Sequence, residues 1–126
     1  MSETKKKLTL ACRILYMEGL ADFHLGHMSG RTSDPEKFYM KPNGLGLEEI
    51  RPEDLLVMDG EGRKLEGIHP PHGETPIHSE IYKKRRDVQA IVHVHPPPQH
   101  GLQLCTDRDE AADPGRYALP AGDTRF

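Results

Sequence analysis

Two histidines separated by one residue, His93 and His95, lie in the run AIVHVH (90–95), which three prolines end at once. In a strand, residues i and i+2 point to one face, about 6.5–7 Å apart along the backbone. Two imidazoles at that spacing can converge on one metal ion, and imidazole is the commonest protein ligand for one. The prolines place the pair at a sheet edge, where ligands can enter. Taken alone, the pair reads better as two polar residues on a solvated strand face. Glu74 lies upstream, behind the turn HPPHG (69–73) and directly before a segment with helical character. A carboxylate near a divalent cation can ligate it or act as a general base. The same carboxylate can simply complement a helix N-terminus, and its position does not separate the two roles. All eight histidines fall between His24 and His100, a clustering that points toward metal or acid–base chemistry.

The elements that must position these groups are legible. Residues 3–18 predict a helix, with Leu8, Ala11, Cys12 and Leu15 at the spacing of a buried stripe and Gly19 placed to stop it. Asp22 to Arg31 reads as a loop entering a short strand. Strands follow at 38–41 and 55–58, and Asp59-Gly60-Glu61-Gly62 is a turn from which 63–66 returns antiparallel. The spacing predicts a helix over 75–85, capped by Thr75, with Pro76 in its first turn and Ile77 and Ile81 as its apolar face. Residues 90–95 form the clearest strand. Helix, strands, helix and strand in that order argue for a mixed α/β sheet protein.

Composition bounds the rest. The chain has 126 residues, enough for one domain with a real core. Its apolar fraction is 35%, below the average of roughly 45–50%, and 12 glycines and 11 prolines interrupt it. No apolar run nears the roughly 20 residues that span a bilayer, and the N-terminus lacks a secretory core. A net charge of −3 gives no general pull toward nucleic acid or anionic lipid. Cys12 and Cys105 fit no metal or disulfide pattern and suit a reducing cytosol. The expectation is a cytoplasmic protein with no nucleic-acid or membrane partner.

Several ordered motifs resemble the class II aldolase/adducin family over roughly residues 8–104. GHMSGR (26–31) is similar to that family's GNxSxR loop, and KPNG (41–44) to its substrate-binding PSG or PTG turn. GETPIHSEIYKKRRDVQAIVHVHPP (73–97) is similar to its block of an acidic residue, a short helix and HxHP. The resemblance implies a three-layer α/β/α fold around a mostly antiparallel central sheet, here its N-terminal part. It implies His93, His95 and Glu74 as metal ligands, with Glu74 also the acid/base residue. It implies one divalent ion, Zn2+ first, with Mn2+ or Fe2+ as alternatives, and a homo-oligomer, a tetramer. By the same resemblance the substrate-binding positions are His27, Ser29, Arg31, Asn43, Gly44, His72 and Gly73. Arg31 can hold a carboxylate through a bidentate pair, or serve structure alone. Asn43 and Gly44 can offer backbone amides, or form an ordinary turn.

Two departures shape the expected function. The family's sugar-phosphate aldolases carry Asn in the first loop and paired serines before the glutamate, where this chain has His27 and His72-Gly73. Imidazoles there suit a carboxylate or phenolate better than a phosphate. HLGHMSGR and KPNGLGLEE look most like members that decarboxylate hydroxylated aromatic acids. The reading is a metal-dependent carbon–carbon lyase, a decarboxylase of a hydroxyaromatic or related hydroxy acid acting through a metal-stabilised enolate. A sugar-phosphate aldolase or epimerase, and a non-catalytic fragment or scaffold, are the alternatives. The second departure is the family's third histidine ligand, for which His100 comes too soon. The tail 105–126 mixes acids, arginines and alanines without periodicity and predicts loose order. The expectation is an incomplete domain over 1–104, truncated or frameshifted near Leu104, followed by a divergent tail.

Overall fold

The computed structural model describes residues 2–96. Helix α1 (Glu3–Met17) runs into a five-stranded sheet formed by β1 (His27–Arg31), β2 (Lys37–Met40), β3 (Leu56–Asp59), β4 (Lys64–Glu66) and β5 (Ala90–His93), with α2 (Thr75–Lys84) between the last two strands. The spatial order is β4-β3-β2-β1-β5, and every neighbouring pair is antiparallel. Three of the connections join adjacent strands, while α2 carries the chain across to the far edge.

Pleating divides the sheet into two faces. Met28 and Gly30 of β1 face α1, and a core of Leu8, Cys12, Met28, Leu47, Ile50 and Leu55 forms there. A Cβ at Gly30 would lie 3.1 Å from Leu8 Cδ2, so the missing side chain lets α1 lie close against β1. Phe38, Met40, Leu56 and Met58 face the other way and pack on Tyr82 of α2. Helix, sheet and helix thus make the expected three-layer α/β/α arrangement.

Helix α1 ends as expected at Gly19, whose φ of 71° suits a residue without Cβ. Its amide donates to Tyr16 O and that of Leu20 to Leu15 O, which satisfies carbonyls of the last turn. In the turn between β3 and β4, Asp59 Oδ1 accepts from the amides of Glu61 and Arg63.

Helix α2 differs from its expected form in two respects. Glu74 occupies the N-cap position and Thr75 is the first helical residue, its hydroxyl donating to His72 O at 2.6 Å. The buried face is Thr75, His78, Ser79 and Tyr82, while Ile77 is exposed. The stripe at i, i+3, i+4 and i+7 that meets the sheet is largely polar because His27 and Ser29 on β1 offer it polar partners.

Strand β5 is shorter than expected and ends at His93. His93 pairs with His27, the first residue of β1, so the ladder has no partner strand beyond it. Pro96 also restricts the residue before it. The boundary expected at residues 104 and 105, together with His100 and Cys105, lies outside the described residues.

Candidate metal centre

The start of β1, the N-terminus of α2 and the end of β5 meet at one end of the sheet. His27 and His93 are paired across the β1–β5 ladder, with ring centroids 4.6 Å apart. His72, in the turn before α2, lies on the other flank of His27 at 4.3 Å. Glu74 is half exposed, and its Oε2 sits 2.7 Å from His27 Nε2 and 3.9 Å from His93 Nδ1. Although His95 lies past the strand end, its Nε2 is 3.2 Å from His93 Nε2. Its Nδ1 faces the Asp22 carboxylate at 3.5 Å.

Ligand geometry sets a scale for these distances. Two imidazoles on a tetrahedral zinc at about 2.0–2.1 Å each would hold their nitrogens about 3.3 Å apart. The His93–His95 separation of 3.2 Å fits that geometry. The His27–Glu74 contact of 2.7 Å is shorter and is a charge-assisted hydrogen bond. His27, His72 and Glu74 also form a compact set, with one ligand atom from each within 4.8 Å of the others. Within that set His72 Nδ1 accepts the Glu74 amide and both His27 nitrogens are engaged, so a cation there would first have to displace existing bonds. Among the described residues His27, His72 and Glu74 are the set whose ligand atoms lie within 4.8 Å of one another, while Glu74 approaches His93 at Nδ1 and His95 meets it at Nε2.

The electrostatics follow from burial and from the hydrogen bond at Glu74. Burial holds His27 below the usual imidazole value despite the neighbouring carboxylate. His72 is pushed down to about 4, by burial first and then by His27. The hydrogen bond from His27 keeps Glu74 below the usual carboxylate range. Near neutral pH Glu74 is therefore an ionised carboxylate beside the neutral imidazoles of His27 and His72.

Other expected site residues are placed differently. His27 has 0% exposure, so it meets substrate only by giving up a bond it already makes. Ser29 is equally buried, its Oγ bonded to His78 Nδ1 at 2.6 Å and Tyr82 Oη at 2.8 Å. Arg31 is at the opposite end of β1. Its guanidinium donates to the carbonyls of Val88, Pro35, Tyr82 and Arg85 and stacks on the Tyr82 ring at 4.4 Å. That arrangement ties β1 to the end of α2 and leaves no fork for a substrate carboxylate. The Asn43 amide donates to Pro70 O, which joins the KPNG turn to the HPPHG turn and withdraws that N–H from substrate. Gly44, with φ 84°, and Gly73 are exposed with open space about them.

Three participants were not expected from the sequence. His78 and Tyr82 line the buried side of the centre, and the four-residue spacing of Glu74, His78 and Tyr82 along one helix face was the available signal. Lys41 is fully buried, with Nζ donating to His24 O and Pro42 O, and burial lowers its pKa. Its charge helps to lower those of His27 and His72.

The architecture and this cluster define an α/β/α protein with a histidine–carboxylate centre at a sheet edge. The chain belongs to the family described as the class II aldolase and adducin N-terminal domain, whose model matches residues 6–119. It is 35% identical over 100 residues to a 3,4-dihydroxyphthalate decarboxylase of Arthrobacter keyseri, covering 74% of this chain and 40% of that protein. Among solved structures it resembles an L-fuculose 1-phosphate aldolase with TM-score 0.72 and 28% identity, over 81% of this chain and 48% of the other. The L-fuculose 1-phosphate aldolase of Glaciozyma antarctica matches with TM-score 0.64 and 32% identity, over 73% and 39%. The chain thus spans less than half the length of each of these relatives. Class II aldolases depend on a divalent metal. Among the described residues no helix is long and apolar enough to cross a membrane.

Proposed function

We propose that this chain carries the metal-binding part of a divalent-metal-dependent carbon–carbon lyase that decarboxylates a hydroxyaromatic or related hydroxy acid. The supporting observation is the 3.2 Å approach of His93 Nε2 to His95 Nε2, with the Glu74 carboxylate 3.9 Å from the other nitrogen of His93. In this reading His93, His95 and Glu74 hold the ion, Zn2+ first and Mn2+ or Fe2+ as alternatives. When bound, the ion supplies a Lewis acid that takes up electron density as the carbon–carbon bond breaks. Glu74 handles the proton: it takes one from the substrate hydroxyl and returns it to the ring carbon that loses carbon dioxide. Carbon dioxide departs and the product leaves as its phenolate, so one proton shuttles and none is consumed at the carboxylate. His72, a neutral imidazole in the turn before Glu74, is suited to hydrogen-bond the substrate's carboxylate or phenolic oxygen.

The resemblance to two fuculose-phosphate aldolases supports a second reading, retro-aldol cleavage of a sugar phosphate. Both readings use the same electron sink. His72, where the aldolases of the family carry a hydroxyl group, favours the decarboxylase. A homo-oligomer, a tetramer by the family's habit, belongs to the same proposal. Exposed Leu10, Ile14 and Met17, at i, i+4 and i+7 on α1, offer it an apolar stripe.

The test is metal content of the purified, gel-filtered chain and of His93→Ala and His95→Ala. About one tightly held divalent ion per chain, lost in both variants, is the expected result. Carbon dioxide release from dihydroxybenzoate-type acids, without inhibition by sugar phosphates, then separates decarboxylase from aldolase. A folded chain whose metal content and turnover ignore both substitutions would leave a scaffold or inactive fragment as the reading.

A further inference from the structure

Behind Glu74 a line of hydrogen bonds runs inward through four buried side chains. Glu74 Oε2 meets His27 Nε2 at 2.7 Å, and His27 Nδ1 meets His78 Nε2 at 2.6 Å. His78 Nδ1 meets Ser29 Oγ at 2.6 Å, and Ser29 Oγ meets Tyr82 Oη at 2.8 Å. His27, Ser29 and His78 have 0% exposure and Tyr82 has 3%. Filling this space would need only apolar groups, and a buried polar chain is costly unless every member is satisfied.

The direction of donation can be derived link by link. An ionised carboxylate only accepts, so His27 donates from Nε2. The buried Tyr82 hydroxyl has Ser29 as its acceptor, and one proton per contact leaves each ring with one donor and one acceptor. His27 Nδ1 then accepts from His78 Nε2–H. His78 Nδ1 accepts from the Ser29 hydroxyl, which in turn accepts from Tyr82. Reversing the chain would turn every proton inward and leave the Tyr82 hydrogen without an acceptor among the described residues. An unpaired buried donor is penalised, so the interior end biases the direction independently of the carboxylate.

We propose that Tyr82, Ser29 and His78 are positioning residues forming a one-way donor chain that holds His27 as its Nε2–H tautomer and so pins Glu74 by Oε2. The other oxygen, Oε1, remains for the metal or the substrate proton. The arrangement fixes the rotamer of an otherwise half-exposed side chain and keeps one face of the carboxylate permanently hydrogen-bonded. His27 supports the acid/base group without touching substrate, which accounts for an imidazole in the first loop. The consequence for catalysis rests on the reading of Glu74 as the acid/base residue, whereas the tautomer itself does not.

The experiment is long-range 1H–15N correlation on the full, 15N-labelled 126-residue chain, kept metal-free with chelator near pH 7.5. The two nitrogens of a neutral imidazole resonate far apart, so the spectrum reads which one carries the proton. Nε2–H at both His27 and His78 is expected, and Nδ1–H at either would overturn the inference. In Glu74→Gln the carboxylate's bias is gone, and His27 should remain Nε2–H because the interior end still orients the chain. A mixed tautomer there would mean that Glu74 alone had set it, and the proposal fails. In Glu74→Gln/Ser29→Ala the orienting link is cut and His27 should become a mixture of tautomers. A single Nε2–H form in that double variant would equally overturn the chain. Since no turnover is measured, failure here is distinct from failure of the proposed reaction, and the unsubstituted chain already tests the first link should Ser29→Ala not fold.

Discussion

His27 and His93 face one another across the β1–β5 ladder, yet they serve opposite sides of the same carboxylate. His27 is closed off beneath α2 and bonded on both nitrogens, whereas His93 is partly exposed and meets His95 at the open edge. Glu74 is the junction between a buried hydrogen-bonded layer and an accessible pair of imidazoles.

Replacing Glu74 by Gln should keep the side chain's shape while removing the charge that the centre uses. Decarboxylation is expected to fall about 100- to 10,000-fold, the usual range for a lost general acid or base. The urea midpoint should move little, because the residue is half exposed. Turnover within about tenfold of the parent would remove Glu74 from the proton path.

Arg31→Lys should cost stability rather than substrate affinity. A lysine cannot reproduce a planar fork that donates to the four carbonyls of Val88, Pro35, Tyr82 and Arg85. A loss of about 2 kcal/mol is expected by urea unfolding, in the range for hydrogen bonds to a charged group. A large rise in KM with unchanged stability would instead return Arg31 to the substrate.

Acid should weaken the fold before it reaches the carboxylates. Burial pushes His78 down to about 3 and His72 to about 4, each aided by His27, from an ordinary value of 6.5. Below about pH 6.5 the unfolded chain takes up protons that the native chain refuses, so stability is full above that pH and falls as pH drops toward the native values. In chelator-treated protein the urea midpoint should decline steadily from about pH 7 to about pH 4.5, and His78→Asn should flatten the slope. A midpoint that held constant over that window would contradict the buried neutral state of His78.

Gly30→Ala should destabilise by about 1–2 kcal/mol, because the new methyl would press on Leu8 Cδ2 at 3.1 Å and push α1 outward. Chemical denaturation reads the loss directly. A neutral result would mean that the Leu8 rotamer yields without moving the helix.

Much of the architecture was written in local patterns. The stripe through Leu8, Cys12 and Leu15, the stop at Gly19 and the turn from Asp59 are decided by neighbouring residues, and they reappear within a residue or two. The pairing of His93 with His95 was visible because a spacing of two is a short-range property, even though the strand ends at His93. The buried face of α2 was not visible. Apolar Ile77 lies partly exposed while His78 is sealed, because a helix buries whatever its partner surface can satisfy and that surface comes from β1, nearly fifty residues earlier. For the same reason Arg31 and Asn43 read as contacts for substrate until the carbonyls that occupy them were brought in from distant turns. The sequence by itself determined the family, the elements and the types of titratable group that gather at the sheet edge. Tertiary structure alone decided which polar residues are free to act and which are spent holding others, since hydrogen-bond partners are assigned by proximity in space and not by spacing along the chain.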